Sequence, residues 1–195
     1  LYLDYLVLLM NKKHKKLFLK LIKDPFTFIL LLLTLSLVLF FYKHLIVYAL
    51  IVFFAGSLSL MTLKMKVKFS LGHVFFLSMV IAKEMGFIWA VILVIAGEFV
   101  PKVIVADLDL KTFILIPIEI GIAFIFATFN SVSILALGFI IGLIYHFIGL
   151  VLAKSMGDSF PELIAEVGLP CFMNCVYFIS MAGPMSSVLA FVIAA

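Results

Sequence analysis

The chain has 195 residues, of which 67% are hydrophobic and 12% are charged, and its formal net charge is +4 at pH 7. A soluble globular domain is about half apolar and about a quarter charged, so this composition excludes that class. The apolar residues form long blocks, which indicates an integral membrane protein with several spanning helices. The excess positive charge comes from lysines in the predicted loops, so we predict no nucleic-acid partner.

The first 24 residues form a basic segment that differs from the rest of the chain. Its run LYLDYLVLLM is too short to span a bilayer, and KKHKKLFLKLIK follows it closely. Two interpretations are open: an amphipathic segment lying on an anionic membrane surface, or a cytoplasmic tail. Asp24 and Pro25 are typical of a helix N-cap and first turn, so we predict a transmembrane domain over residues 25–195.

This domain is predicted to be an all-α bundle of five to seven transmembrane helices, two of them short or re-entrant. The predicted apolar segments are Phe26–Tyr42, His44–Leu63, Phe69–Ala82, Met85–Val100, Thr112–Phe129, Val132–Ala153 and Val167–Ala195. Two polar connections are predicted between them, VPKVIVADLDLK (100–111) and KSMGDSFPELIAE (154–166). Helix kinks are predicted at Pro117, Pro170 and Pro184.

The third and fourth segments are shorter than a bilayer requires. At ~1.5 Å per residue each covers roughly 21–24 Å, against ~30 Å of hydrocarbon. They form either two short helices whose Lys83-Glu84 turn meets water or headgroups, or one re-entrant hairpin with that turn buried at depth. A re-entrant pair would have to be covered by protein or by a water-filled cavity.

The lysines predict the orientation. Cytoplasmic loops of membrane proteins are enriched in basic residues, and every basic residue here is a lysine. We therefore predict that the chain lies in the cell membrane with its N-terminus on the cytoplasmic side. In this orientation only Lys43 and Lys83 lie away from the inner side. The other twelve lysines lie on the inner side: Lys12, Lys13, Lys15, Lys16, Lys20, Lys23, Lys64, Lys66, Lys68, Lys102, Lys111 and Lys154.

Four ionisable residues are candidates for binding a ligand or a proton. Glu119 and His146 each lie seven residues from the predicted inner end of neighbouring helices, so we predict that they pair. His73 and Glu98 fall in the same half of the membrane. Such groups are costly in lipid and usually face a partner or a functional cavity. The group could relay protons, anchor a polar ligand or bind a metal, or the pair could only fix helix packing.

Small residues on two helices indicate close helix packing. Gly138, Gly142 and Gly149 recur on one helix, and Ala123 and Ala127 lie four apart on the preceding one. Small residues at this spacing let helix backbones approach closely in lipid. The pattern predicts tight packing within the chain or docking on a partner subunit.

Three stretches carry a resemblance to a known family: HVFFLSMVIAKEMGFIWAVILVIAGEF, ILALGFIIGLIYHFIGLVLA and LPCFMNCVYFISMAGPM. From about Ser70 onward the layout resembles the substrate-binding S-components of energy-coupling-factor vitamin transporters, and it is similar to the related small subunits of the bacterial rod-shape machinery. The resemblance implies six crossings and both termini inside, whereas the lysine pattern gives seven crossings. It transfers no binding residue to this chain.

The leading functional hypothesis is a non-enzymatic membrane subunit of a larger assembly, a small-molecule-binding transporter component with Glu119 and His146 in its site. The alternative is an accessory subunit without a ligand of its own, and the third is an intramembrane metalloenzyme. No HExxH, GxSxG, Walker or paired-cysteine signature is present, so we predict neither an enzyme nor a dedicated metal site. Membrane lipids and partner membrane subunits are the expected partners, and any cofactor is unknown.

Overall fold

The computed structural model describes residues 25–64, 71–129 and 132–194. The basic segment 1–24 and its two interpretations lie outside the described residues. The described part of the chain is all-α and contains seven helices, which confirms the predicted fold class. The chain divides into two compact units, Leu1–Ile46 and Val47–Ala195. The second unit contains helices α2 to α7 and the candidate site.

The helices follow one another with short connections. Helix α1 is Pro25–Lys64, with non-helical backbone at Tyr42, next to the break predicted before His44. The others are α2 His73–Glu84, α3 Phe87–Val105, α4 Leu110–Thr128, α5 Ile134–Ser155, α6 Phe160–Ser180 and α7 Ala182–Ala194. Among the described residues five helical segments are long and apolar enough to cross a membrane, so the chain is an integral membrane protein. They are Tyr42–Lys64 in α1, and α3, α4, α5 and α6.

Helix α2 is the buried centre of the bundle. Its twelve residues extend about 18 Å, which is too short to cross a bilayer. It packs against α3, α4, α6 and α7, and most of its side chains are buried. A turn at Met85 and Gly86 joins α2 to α3, and Gly86 has a φ of 102°. The predicted short pair is therefore one short buried helix and one helix of spanning length.

The Lys83-Glu84 turn lies at an end of the bundle. Lys83 Nζ donates a hydrogen bond to the carbonyl of Val132, between α4 and α5, at 2.6 Å. Glu84 accepts a hydrogen bond from Ser186 on α7. Both side chains are partly exposed, as in the first of the two alternatives for this turn.

Two predicted connections are wrong, because both stretches are largely helical. Helix α3 continues to Val105, which leaves 106–109 as the connection, and only 156–159 separate α5 from α6. The last predicted segment, Val167–Ala195, is likewise divided between α6 and α7 at Met181. Charged residues suggested loops at these places, but the helices continue because those residues find partners on neighbouring helices.

Two widened turns occur at equivalent sequence patterns. A π-helical turn occupies Ile95–Phe99 in α3 and another occupies Ile164–Gly168 in α6. Each is followed after one residue by a proline, in IAGEFVP and IAEVGLP. Proline has no N–H and its ring clashes with the carbonyl four residues earlier, so a wider turn accommodates it. Pro170 thus distorts its helix as predicted, and Pro101 does the same without having been predicted.

Candidate functional site

Glu119 is enclosed at the midpoint of α4, a helix of 19 residues. Its side chain has no solvent exposure. Ser78 on α2, also fully buried, donates a hydrogen bond from Oγ to Glu119 Oε1 at 3.0 Å. Within the described residues no hydrogen-bond donor reaches the second oxygen, Oε2. The carboxyl group therefore has unused hydrogen-bonding capacity in the protein interior.

A second carboxyl group faces Glu119 from α3. Glu98 lies in the π-helical turn, interacts electrostatically with Glu119 and has its carboxyl group within hydrogen-bonding range of the Glu119 carboxyl group. Lys102, one turn further along α3, places Nζ 3.8 Å from Glu98 Oε1. The same Nζ donates to Thr112 Oγ1 on α4 at 2.8 Å. We call Glu98, Lys102 and Glu119, with Ser78, the central cluster.

Two further titratable residues lie near the central cluster. Tyr145 on α5 is within electrostatic range of Glu119 and Glu98, and its ring stacks on Phe75 of α2 with centroids 4.4 Å apart. His73, at the start of α2, is within range of Glu98. His73 Nε2 donates to the carbonyl of Ala55 at 3.1 Å, while its Nδ1 is buried without a hydrogen-bond partner among the described residues.

The predicted Glu119–His146 pair is wrong. His146 Nε2 lies 2.8 Å from Nδ2 of Asn174 on α6, whereas Glu119 is bonded to Ser78. Helix α2 lies against both α4 and α5, and Glu119 and His146 bond to residues of different helices, α2 and α6. The prediction used the distance of each residue from its helix end and did not include the direction of the side chain around the helix.

The His146–Asn174 contact also fixes the start of α2. Gly72 precedes α2 with a φ of 65°, which favours glycine. A side chain at this position would meet Asn174 Nδ2 at 2.6 Å and the carbonyl of Pro170 at 3.1 Å. Both the backbone conformation and the available space therefore require glycine there.

The predicted small residues lie inside the bundle. A Cβ at Gly138 would be 2.3 Å from Cε1 of Phe178, and a Cβ at Gly142 would be 3.9 Å from the same ring. Gly149 faces Val167. These three glycines therefore line the contact between α5 and α6. On α4, Ala123 is fully buried and Ala127 packs against the same core.

A second charged group lies at the end of the bundle where α4 begins. Lys111 Nζ donates to Asp158 Oδ2 at 2.6 Å and to Glu166 Oε2 at 2.7 Å. We call these three residues the terminal cluster. Its side chains are partly exposed, between 17 and 31%.

Asp109 connects the two clusters electrostatically. It is the N-cap of α4, and its Oδ1 accepts a hydrogen bond from the backbone N–H of Thr112 at 2.8 Å. Partial burial acts to raise the pKa of Asp109, but the hydrogen bonds from Thr112 and the charges of Lys102 and Lys111 outweigh it. The pKa of Asp109 is therefore lowered from its ordinary value of 3.8.

No group of three or more His, Cys, Asp or Glu side chains in residues 25–64, 71–129 and 132–194 is arranged to hold a metal ion. Of the four predicted candidates, Glu98 and Glu119 come together, His73 lies near Glu98, and His146 belongs to a separate contact. The metalloenzyme alternative thus gains no support from the described residues.

The sequence reasoning missed Ser78, Lys102 and Asn174. Asn174 is a polar residue inside the apolar run LPCFMNCVYF, which was a detectable signal. Ser78 gave a weaker one, because a serine in a membrane helix often bonds its own backbone. The single hydroxyl hydrogen of Ser78 is shared between Glu119 Oε1 and the carbonyl of Phe75, which lies 2.8 Å from Oγ. Lys102 was assigned to a loop.

Comparison of the chain with protein families, curated proteins and solved structures finds no match.

Proposed function

We propose that this protein is a non-enzymatic membrane subunit that binds a small ligand as a component of a transporter, with Glu119 in the binding site. The observation that carries the proposal is the complete burial of Glu119 with Oε2 lacking a donor among the described residues. A polar group in a membrane interior normally finds a partner, so an unused carboxylate oxygen points to a ligand that reaches it when the surrounding helices open.

A purely structural role accounts less well for this arrangement. A glutamate that only fixed helix packing would be expected to have both oxygens bonded, whereas Ser78 serves one of them. Its nearest charged neighbour on α3 is another carboxyl group, Glu98, which adds negative charge instead of compensating it. Lys102 is the cation available to both. The central cluster therefore resembles a binding site more than a packing device.

The accessory-subunit alternative has one observation in its favour. A groove of about 270 Å³ lies between the second half of α1 and α3, and its lining is almost entirely apolar. Gly56 and Ala96 both line it, and a Cβ at Gly56 would lie 3.1 Å from the carbonyl oxygen of Ala96, so this glycine serves the close contact between α1 and α3. Against this alternative, Gly138, Gly142 and Gly149 contact side chains of this chain and are not available to a partner.

The lysine distribution supports an N-terminus on the cytoplasmic side of the cell membrane. The resemblance to S-components supports partner membrane subunits, because such components bind their ligand and act together with a coupling subunit. Partner subunits would appear as a defined complex in native mass spectrometry.

Native mass spectrometry of the protein, extracted gently from its source membrane, tests the proposed function. We expect the wild-type chain to carry a small molecule, alone or with partner subunits, and Glu119→Gln to lose it. Glu166→Gln is the matched control, since it removes a carboxylate from the terminal cluster, and it should retain the molecule. A wild-type chain without a bound molecule, or equal retention by Glu119→Gln, overturns the proposal. A defined complex of subunits without a small molecule establishes the accessory role instead.

A further inference from the structure

The charges of the central cluster do not balance. Glu98 and Glu119 contribute two negative charges when both are ionised, and Lys102 contributes one positive charge. Ser78, which bonds Glu119 from α2, and Tyr145, which is within electrostatic range of it from α5, are neutral, and His73 interacts electrostatically with Glu98. Lys102 and Glu98 are 25 and 26% exposed, whereas Glu119 is fully buried, so the one uncompensated negative charge would be costly at Glu119.

The space around Glu119 decides what can neutralise that charge. Glu119 and Ser78 are both completely buried, so a hydrated cation has no room beside the carboxyl group. A dehydrated metal cation would need several oxygen ligands, and in the described parts of the chain no group of three candidate side chains is arranged to supply them. A proton needs only one lone pair and no space. Glu119 Oε2 offers that lone pair.

We infer that the ligand of the central cluster in this closed structure is a single proton, held between Glu119 and Glu98, with Lys102 neutralising the remaining carboxylate. Binding forms one O–H bond on a carboxylate oxygen, with no change of oxidation state. The inference rests on the site assigned in the proposed function and names its ligand. It makes the transporter component proton-coupled, because Glu119 can exchange the proton with water only when the helices around it open.

Infrared spectroscopy of the purified chain tests this inference, because a protonated carboxyl group has a carbonyl-stretch band that a carboxylate lacks. The measurement is made at about pH 8, where exposed carboxyl groups are ionised, in a detergent without carbonyl groups. The number of protonated carboxyl groups expected in the central cluster is the number of its carboxyl groups minus the number of its ammonium groups, and the band is expected where this number is at least one. It is present in the wild type, absent in Glu119→Gln and Glu98→Gln, and retained in Lys102→Met. Glu166→Gln, which changes the terminal cluster, leaves it unchanged.

Ser78→Ala keeps the test decisive if a charge variant fails to fold. It removes the hydroxyl that donates to Glu119 Oε1 with little change in volume, so the band should shift in frequency and keep its intensity. Absence of the band in the wild type overturns the inference. So does a band that neither Glu119→Gln nor Ser78→Ala alters.

The two tests fail independently. If the chain carries a small molecule in native mass spectrometry but shows no band, the proton assignment is wrong and the proposed function stands. If the band is present and responds to the variants, but no small molecule is found, the proton assignment stands and the transporter proposal falls.

Discussion

The central and terminal clusters contain the same charges in different surroundings. Each has two carboxyl groups and one lysine: Glu98, Glu119 and Lys102 in the first, and Asp158, Glu166 and Lys111 in the second. In the terminal cluster one ammonium bonds both carboxylates directly, and every member keeps some exposure. In the central cluster Lys102 is 3.8 Å from one carboxylate, and the other is fully buried.

This difference teaches that the same charge count has different consequences in exposed and in buried surroundings. An excess negative charge at the end of the bundle is stabilised by water and salt, whereas the same excess at the midpoint of α4 has neither. The terminal cluster can thus serve as an ordinary structural ion-pair network. In the central cluster the carboxyl group of Glu119 is fully buried and its Oε2 has no donor among the described residues, which makes it the candidate functional site.

Charge reversal should separate the two clusters most strongly. Glu119→Lys places a longer, charged side chain where no solvent reaches, and we expect it to lower the free energy of unfolding by roughly 3–5 kcal/mol, or to prevent accumulation of folded protein. Glu166→Lys, at a partly exposed position, should cost roughly 1 kcal/mol. Denaturation of the detergent-solubilised variants measures both values. Equal losses would mean that burial does not distinguish the clusters.

Removal of the terminal lysine should have a smaller effect that depends on salt. Lys111→Met leaves Asp158 and Glu166 without their common donor, and we expect a loss of about 1–2 kcal/mol in unfolding free energy. Exposed charges are screened by salt, so the loss should shrink at about 1 M salt. Lys154→Met, on the exposed end of α5, is the control and should change little. If salt does not change the loss in unfolding free energy, the charges of the terminal cluster behave as buried charges, which contradicts this prediction.

The smallest expected effect concerns Asp109, which interacts electrostatically with Lys102 of the central cluster and Lys111 of the terminal cluster. Asp109→Asn keeps an N-cap side chain but removes the charge, and we expect a loss of about 0.5 kcal/mol at neutral pH. Because the folded-state pKa of Asp109 is lowered, its charge stabilises the fold above the ordinary pKa of 3.8, and the effect disappears as the pH falls through the folded-state value. Unfolding of both proteins at pH 7 and at about pH 3 measures this convergence. A difference that persists in acid would assign the effect to the shape of the cap and not to its charge.

Much of the fold could be predicted from apolar length. Helices α4 and α5 were placed within two residues at each end, since long apolar runs bounded by polar residues leave few alternatives. The C-terminal end of α3 and the start of α6 were misplaced because Lys102, Asp158 and Glu166 suggested loops. The sequence does not show that these charges pair across helices. Ser159 and Glu162 form a capping box that could have marked the start of α6.

The candidate site was predictable in part for a similar reason. A glutamate in a long apolar helix must find a special environment, so Glu119 could be singled out from its position alone. Its partners depend on the rotation of α2 and α3 about their axes. In α3 the π-helical turn that carries Glu98 changes that rotation. The spacing of residues in the sequence therefore could not distinguish Ser78 and Glu98 from His146 as neighbours of Glu119.

The buried position of α2 has a consequence for how the protein is made. A ribosome delivers His73–Glu84 to the membrane well before α4 and α6, yet these later helices supply Glu119 for Ser78 and Asn174 for the turn at Gly72. A helix of about 18 Å cannot hold a stable transmembrane position alone. We therefore expect α2 to remain at the membrane surface or within the insertion machinery until the helices that enclose it have been inserted. The polar centre is assembled among the last parts of the fold.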